Sequence, residues 1–181
     1  RFVTLINPAP EKGAMLFFRL LELAARERPD LRFLAVEGRV SRREWARIGL
    51  DPADFPNLLW VRNRRDMRPV YRRTAVLLCP SLWLEPSARV VAEAQLSGIP
   101  VIATNRGGIP EQLNRGGTLL DPPAASLADY LYVPARAEIR PWLARIEALM
   151  DDPQTHAAAG ATASEAARQF HPEVRGAALA D

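Results

Sequence analysis

The chain has one cysteine, Cys79, so no disulfide can form within it. That fits a reducing compartment. It has one lysine, Lys12, against 23 arginines, and two histidines, His156 and His171. Neither histidine has a metal partner at ligand spacing, and both read as surface residues. No apolar run approaches the length of a membrane span, and no signal peptide is visible. No G-x-G-x-x-G follows the first apolar run, which disfavours a dinucleotide-binding dehydrogenase. There is no internal repeat and no low-complexity segment. The chain opens at Arg1, directly on a strand and without Met; the expectation is an excised domain or an incomplete chain.

The 181 residues suffice for one domain, 1–181, with a C-terminal helix and tail from about residue 153. The net charge is +3. The arginine bias, with abundant Ala and Pro, resembles a high-GC coding habit more than a binding device. Arginines cluster at Arg39 to Arg47 and Arg62 to Arg73. Without interleaved aromatics these read as solvated loops near an anionic ligand, and no nucleic-acid partner is expected.

The most informative stretch runs from Cys79 to Glu111, CPSLWLEPSARVVAEAQLSGIPVIATNRGGIPE. An apolar run ends at Cys79, itself read as a small core residue. Pro86 and Ser87 read as a helix start, with Ser87 able to cap free amides. The helix is expected over Ala88–Ser97, stopping at Gly98. A strand, Pro100 to Ala103, follows, then a loop with Gly107, Gly108, Pro110 and Glu111. Glu85 and Glu93 are separated by seven residues. At 3.6 residues per turn, Glu85 stands before the helix and Glu93 about two turns in. Between them a helix N-terminus favours an anion such as a diphosphate. A carboxylate can accept two hydrogen bonds from a vicinal diol. The geometry suits a nucleotide-sugar. Each piece also has a plain reading: Glu93 as a solvated charge, Glu85 as a cap, the glycines as a turn.

E-x7-E joined to SGIPVIATNRGGIPE resembles the donor-binding signature of retaining glycosyltransferases of the GT-B fold, family 4. The resemblance runs from about residue 2 to residue 170, and only to the C-terminal, donor-binding half of such an enzyme. It implies a nucleoside-diphosphate sugar as substrate, no cofactor and no metal. It implies that Lys12 and the amides around Pro86, Ser87, Ala88 and Arg89 stabilise the leaving diphosphate. Glu93 would hold the ribose diol and Glu85 would contact the sugar. Gly107 and Gly108 would let backbone approach the donor, with Glu111 in the same loop. The main chain after the third strand, at Val61 and Arg62, would cradle the nucleobase. Family members commonly place an Arg and a Lys, five residues apart, after the first strand. Lys12, followed by Gly13, matches the Lys. The Arg position holds Asn7, which brings no charge, so neutralisation falls on Lys12 and an arginine such as Arg89. The acceptor site and any catalytic base would lie on an N-terminal domain, and this domain alone should bind donor weakly and turn over little. The expected place is the cytoplasm, with attachment at the inner membrane face left open. Two other readings stay open: a nucleotide-binding or partner domain that has lost catalysis, and a sugar-nucleotide epimerase or phosphorylase on a related fold. For a pyridoxal phosphorylase, Lys12 is in the wrong place.

The rest of the chain alternates strand and helix. Strands are expected at Phe2–Ile6, Leu31–Val36, Asn57–Val61, Ala75–Cys79, Pro100–Ala103 and Thr118–Leu120. Helices are expected at Ala14–Arg28, Ser41–Ile48, Met67–Arg73, Ala88–Ser97, Ser126–Leu131, Arg140–Met150 and Pro153–Phe170. Trp142, Ile146 and Met150, spaced at four, read as core. The alternation predicts an α/β, doubly wound, Rossmann-like parallel sheet of six strands with helices on both faces. The expected order is 3-2-1-4-5-6, with the ligand crevice between strands 1 and 4.

Overall fold

Six apolar runs become six parallel strands in the computed structural model, which describes residues 1–170. They are β1 (Phe2–Ile6), β2 (Phe33–Val36), β3 (Leu58–Val61), β4 (Thr74–Cys79), β5 (Val101–Thr104) and β6 (Thr118–Leu120). The sheet order is β3-β2-β1-β4-β5-β6, as expected. Every residue of β2, β4 and β5 is buried, while the edges β3 and β6 are partly covered. Burial on both faces is what makes central parallel strands read as unbroken apolar runs.

Alternation along β4 divides the core. Val76 and Leu78 join Val3, Leu5, Phe17, Phe33 and Trp142 on one face, under α1 (Ala14–Glu27) and α7 (Arg136–Asp151). Leu77 and Cys79 join Tyr71, Val91, Ile109 and Leu113 on the other. That face is covered by α3 (Arg68–Tyr71), α4 (Arg89–Leu96) and α5 (Ile109–Leu113). Trp142 and Ile146 are buried and Met150 packs against them, so that triplet is core. The short α2 (Arg42–Arg47) starts on Ser41, whose hydroxyl and amide exchange bonds with Glu44 in a capping box.

Most boundaries differ from expectation by one or two residues, and two larger differences have a physical cause. The loop expected after Gly108 contains α5: Ile109 and Leu113, one turn apart, both bury on the sheet. Glu111 is therefore an exposed helical residue. Helix α7 begins at Arg136, so Pro141 lies inside it rather than in its first turn. The start is held by Glu138, which accepts from the Ala135 N–H at 2.7 Å and the Tyr132 hydroxyl at 3.0 Å. Pro141 removes only the bond to the Ala137 carbonyl, and five buried side chains of α7 hold the helix down. Helix α6 is Ala124–Ala128, set earlier than expected, leaving Leu131 exposed. Helix α8 is Pro153–Ala166, followed by a 3-10 turn to Phe170. His156, on α8, is half-buried with Nε2 at 3.0 Å from the Ala75 carbonyl, so it is a tether to β4 and not a surface residue. His171 and the expected tail lie outside the described residues. Among the described residues, no helix is long and apolar enough to cross a membrane.

The chain goes from β1 outward to β3, crosses back to β4, and goes outward to β6 on the other side. The loops after β1 and β4 therefore diverge at one switch point. That divergence opens a crevice at the strands' C-terminal ends.

Candidate functional site

Asn7 follows β1 with φ 59°, in the left-handed region that Asn tolerates better than most residues. Its Oδ1 accepts the Arg39 N–H at 2.8 Å, joining the ends of β1 and β2. Gly38 permits this, since a Cβ there would fall 2.0 Å from Asn7 Oδ1. A 3-10 turn, Pro10–Lys12, follows and closes at Gly13 with φ 77°. A Cβ on Gly13 would lie 2.1 Å from the Pro80 carbonyl oxygen, so this loop presses directly on the end of β4. The Glu11 carbonyl accepts the Leu82 and Trp83 N–H groups at 2.9 and 3.2 Å. Lys12 is thereby held beside the segment that carries Glu85.

Glu85 is gripped on both backbone and side chain. Its carbonyl accepts the Gly108 N–H at 2.6 Å. Its Oε1 accepts the Ser81 hydroxyl at 2.9 Å and pairs with Lys12 Nζ. Ser81 is fixed in turn, because its carbonyl accepts the Thr104 hydroxyl at 2.6 Å. A Cβ on Gly107 would lie 2.7 Å from the Glu85 nitrogen, and one on Gly108 would lie 2.5 Å from the Pro86 carbonyl oxygen. The two glycines thus let the loop after β5 pack against the Leu84–Pro86 backbone.

Pro86 and Ser87 precede α4 without entering its first turn, and Ser87 does not cap it. The reason lies 24 residues on. Gln112 Oε1 accepts the Ala88 N–H at 2.6 Å and its Nε2 donates to the Ala88 carbonyl at 2.9 Å. The Ser87 hydroxyl also turns to Gln112, at 3.3 Å. This side chain holds the first residue before the helix, the task expected of Ser87.

One turn into α4, rather than the two expected, Glu93 is exposed at the cleft. Its Oε2 accepts the Tyr71 hydroxyl at 2.5 Å. Burial first, and then the Glu93 carboxylate, push the Tyr71 phenol well above its ordinary range, so it stays a donor. At the far rim, Glu37 accepts from the Arg42 amide at 3.0 Å and the Trp60 indole at 3.1 Å. Those two bonds, the amide's first, lower its pKa. Cys79 is buried behind the cleft, and desolvation with the nearby Glu85 charge pushes its thiol up to about 12. Among the described residues no three His, Cys, Asp or Glu side chains cluster as a metal site would.

These groups surround one cleft of about 570 Å³ between the ends of β1 and β4. The family model described as glycosyl transferases group 1 matches residues 2–133. The chain belongs to the glycosyl transferases group 1 family. Within it, the chain is 31% identical over 125 residues to a D-inositol 3-phosphate glycosyltransferase of Corynebacterium kroppenstedtii, covering 68% of this chain and 24% of that protein. The matches to four curated relatives span between 11% and 24% of their lengths. Among solved structures, Anabaena HepE in complex with UDP and glucose superposes with a TM-score of 0.70 at 21% identity, over 93% of this chain and 44% of that one. The C-terminal domain of LpcC, a glycosyl transferase group 1 family protein of Francisella tularensis, superposes with a TM-score of 0.65 at 16% identity, over 93% of this chain and 85% of that one. Both share the fold, one half of a GT-B architecture.

For this group 1 domain, the cleft gathers Asn7, Lys12, Glu85, Ser87, Ala88, Arg89 and Glu93. Gly13, Pro86, Gly107 and Gly108 stand behind it, in the backbone contacts described above. Glu111 is on the exposed side of α5, and Val61 and Arg62 do not line the cleft. The Val61 carbonyl is taken by the Glu37 N–H at 2.8 Å. Asn63 and Arg65 from the same loop reach the cleft instead. Sequence reasoning also missed Tyr71, Ser81 and Arg39. Arg39 lay inside a recognised arginine cluster, and the Glu37-Gly38 strand end was the available signal that its neighbours face a ligand.

Proposed function

We propose that this chain is the donor-binding domain of a retaining, metal-independent glycosyltransferase that uses a nucleoside-diphosphate sugar. The observation that carries the reading is the meeting of Lys12, Glu85, Glu93 and the start of α4 around one cleft. The shared fold with HepE, whose structure holds UDP and glucose, supports the same use of the cleft. In this reading the diphosphate lies at the α4 N-terminus, where backbone amides and the helix dipole favour an anion. Lys12 and Arg89 supply the charge that the neutral Asn7 carboxamide does not, and its oxygen is engaged by the Arg39 N–H. Glu93 accepts from the ribose hydroxyls, and Glu85 faces the sugar hydroxyls. The nucleobase lies toward the loop after β3.

The C1–O bond to the diphosphate breaks as the acceptor hydroxyl's oxygen bonds to C1 on the same face, and the hydroxyl proton passes to the departing diphosphate. Lys12, Arg89 and the α4 amides stabilise the charge that grows on the departing diphosphate, in place before the reaction. The acceptor site and any catalytic base belong to an N-terminal domain of the same enzyme, which acts in the cytoplasm.

One observation favours a second reading, a nucleotide-binding domain without catalysis: Lys12 is already neutralised by Glu85. The test is to offer UDP-, GDP- and ADP-sugars to the full-length protein with a chelator present. Diphosphate release and the first-formed anomer are followed by NMR. Release from one donor with its anomeric configuration kept is the expected result. Nucleotide binding without release from any donor supports the second reading, and an inverted anomer contradicts retention.

A further inference from the structure

We propose that Tyr71 is a positioning residue for Glu93: its hydroxyl fixes one carboxylate oxygen and so presents the other as the acceptor for a ribose hydroxyl. This rests on the assignment of Glu93 to the ribose given above. Glu93 is exposed on α4 and makes no ion pair among the described residues. A free glutamate of this kind samples many rotamers, and ordering it on binding opposes affinity. Tyr71 differs in every respect. It is 8% exposed, with its ring packed in the cluster of Leu77, Cys79, Ala88 and Val91. It comes from α3 and is buried against the sheet as well as against α4, so its hydroxyl is a fixed point on a different element from the helix that carries Glu93. The bond to Glu93 Oε2 is 2.5 Å, in the range of a charge-assisted contact. Oε1 accepts no hydrogen bond among the described residues. Arg89, one turn before Glu93, lines the same cleft and is left to the phosphates.

This arrangement makes a claim that a packing role for Tyr71 does not. If the hydroxyl only supports the fold, its loss weakens every nucleotide alike. If it presents Glu93, its loss weakens only ligands that carry the ribose hydroxyl. The experiment is calorimetric titration of the full-length protein with UDP and its 2′-deoxy and 3′-deoxy analogues, with the GDP and ADP series in parallel. Wild type, Tyr71→Phe and Glu93→Ala are compared, and thermal melts report folding. Wild type should prefer the ribonucleotide over at least one deoxy analogue. In Tyr71→Phe that preference should shrink by about three- to tenfold, with affinity for the deoxy analogue nearly unchanged. Equal weakening of ribo and deoxy ligands, or an unchanged preference, overturns the role of Tyr71 while a preference abolished in Glu93→Ala upholds the ribose assignment. A preference that survives Glu93→Ala overturns both.

Discussion

Lys12 and Glu85, 73 residues apart, form an ion pair in the cleft, with Ser81 donating to the same carboxylate oxygen. The cation proposed for the diphosphate and the carboxylate proposed for the sugar hold each other before any donor arrives. Donor binding must therefore exchange this contact for two new ones. Lys12→Ala should weaken UDP, GDP or ADP, whichever binds, by about 1.5–3 kcal/mol, the range for hydrogen bonds to charged groups, and leave the nucleoside nearly unaffected. Glu85→Ala should release Lys12, so the bare diphosphate binds at least as tightly while the sugar-bearing donor loses its advantage. Titrations with nucleoside, diphosphate and sugar donor check both variants. Equal losses for nucleoside and diphosphate in Lys12→Ala would contradict the phosphate role.

Gly13 and Gly49 separate backbone strain from steric contact. Both have positive φ, 77° and 83°, but a Cβ on Gly49 meets nothing within 4 Å whereas one on Gly13 strikes Pro80. Gly49→Ala should cost about 1 kcal/mol, the left-handed penalty alone. Gly13→Ala should cost at least ~2 kcal/mol and also reduce diphosphate binding, because the Lys12 loop must lift from β4. Urea unfolding of the two variants measures the difference.

Gln112 should matter more than Ser87. Gln112→Ala removes both bonds to Ala88 and should cost about 1–2 kcal/mol. It should also weaken diphosphate binding by loosening the start of α4. Ser87→Ala should stay within ~0.5 kcal/mol, since Ser87 is exposed and caps nothing. Equal effects in urea unfolding would contradict the clamp.

Cys79 gives the alkaline behaviour a sign. Its thiol is raised from 9.0 to about 12, so between those values the unfolded chain loses a proton that the native chain keeps. Stability then falls as pH rises through that window. Tyr71, also raised, acts in the same direction at higher pH. Urea midpoints measured between neutral pH and about pH 10 should fall less steeply in Cys79→Ala than in wild type. A thiol reagent should label native Cys79 only after unfolding.

Much of the architecture was legible because central parallel strands are buried on both faces and appear as plain apolar runs. Alternation with helices then leaves few topologies, and the observed strand order was the expected one. The spacing of Glu85 and Glu93 likewise brought both to one cleft. What stayed hidden depends on partners far away in sequence. Gly-Gly-Ile-Pro-Glu reads as a turn, and only the burial of Ile109 and Leu113 reveals α5. Pro141 reads as a helix start, because nothing local shows that Glu138 already holds one six residues earlier, at Ala135. Ser87 reads as a cap until Gln112, 24 residues from Ala88, takes that place. Tyr71 gave no sign of a role at the site, because its hydroxyl's bond to Glu93 spans 22 residues. Arg39 and Arg65 were indistinguishable from solvated arginines until folding set both against the cleft.

The central claim is that the cleft binds a nucleoside diphosphate through Glu93 and the start of α4. Its most direct test is calorimetric titration of the protein with UDP, GDP and ADP, each beside its nucleoside, in wild type and Glu93→Ala. The account predicts that one diphosphate binds more tightly than its nucleoside, and that Glu93→Ala weakens it by about 1.5–3 kcal/mol. An affinity for that diphosphate unchanged in Glu93→Ala, or no binding of any of the three by the full-length protein, would contradict it.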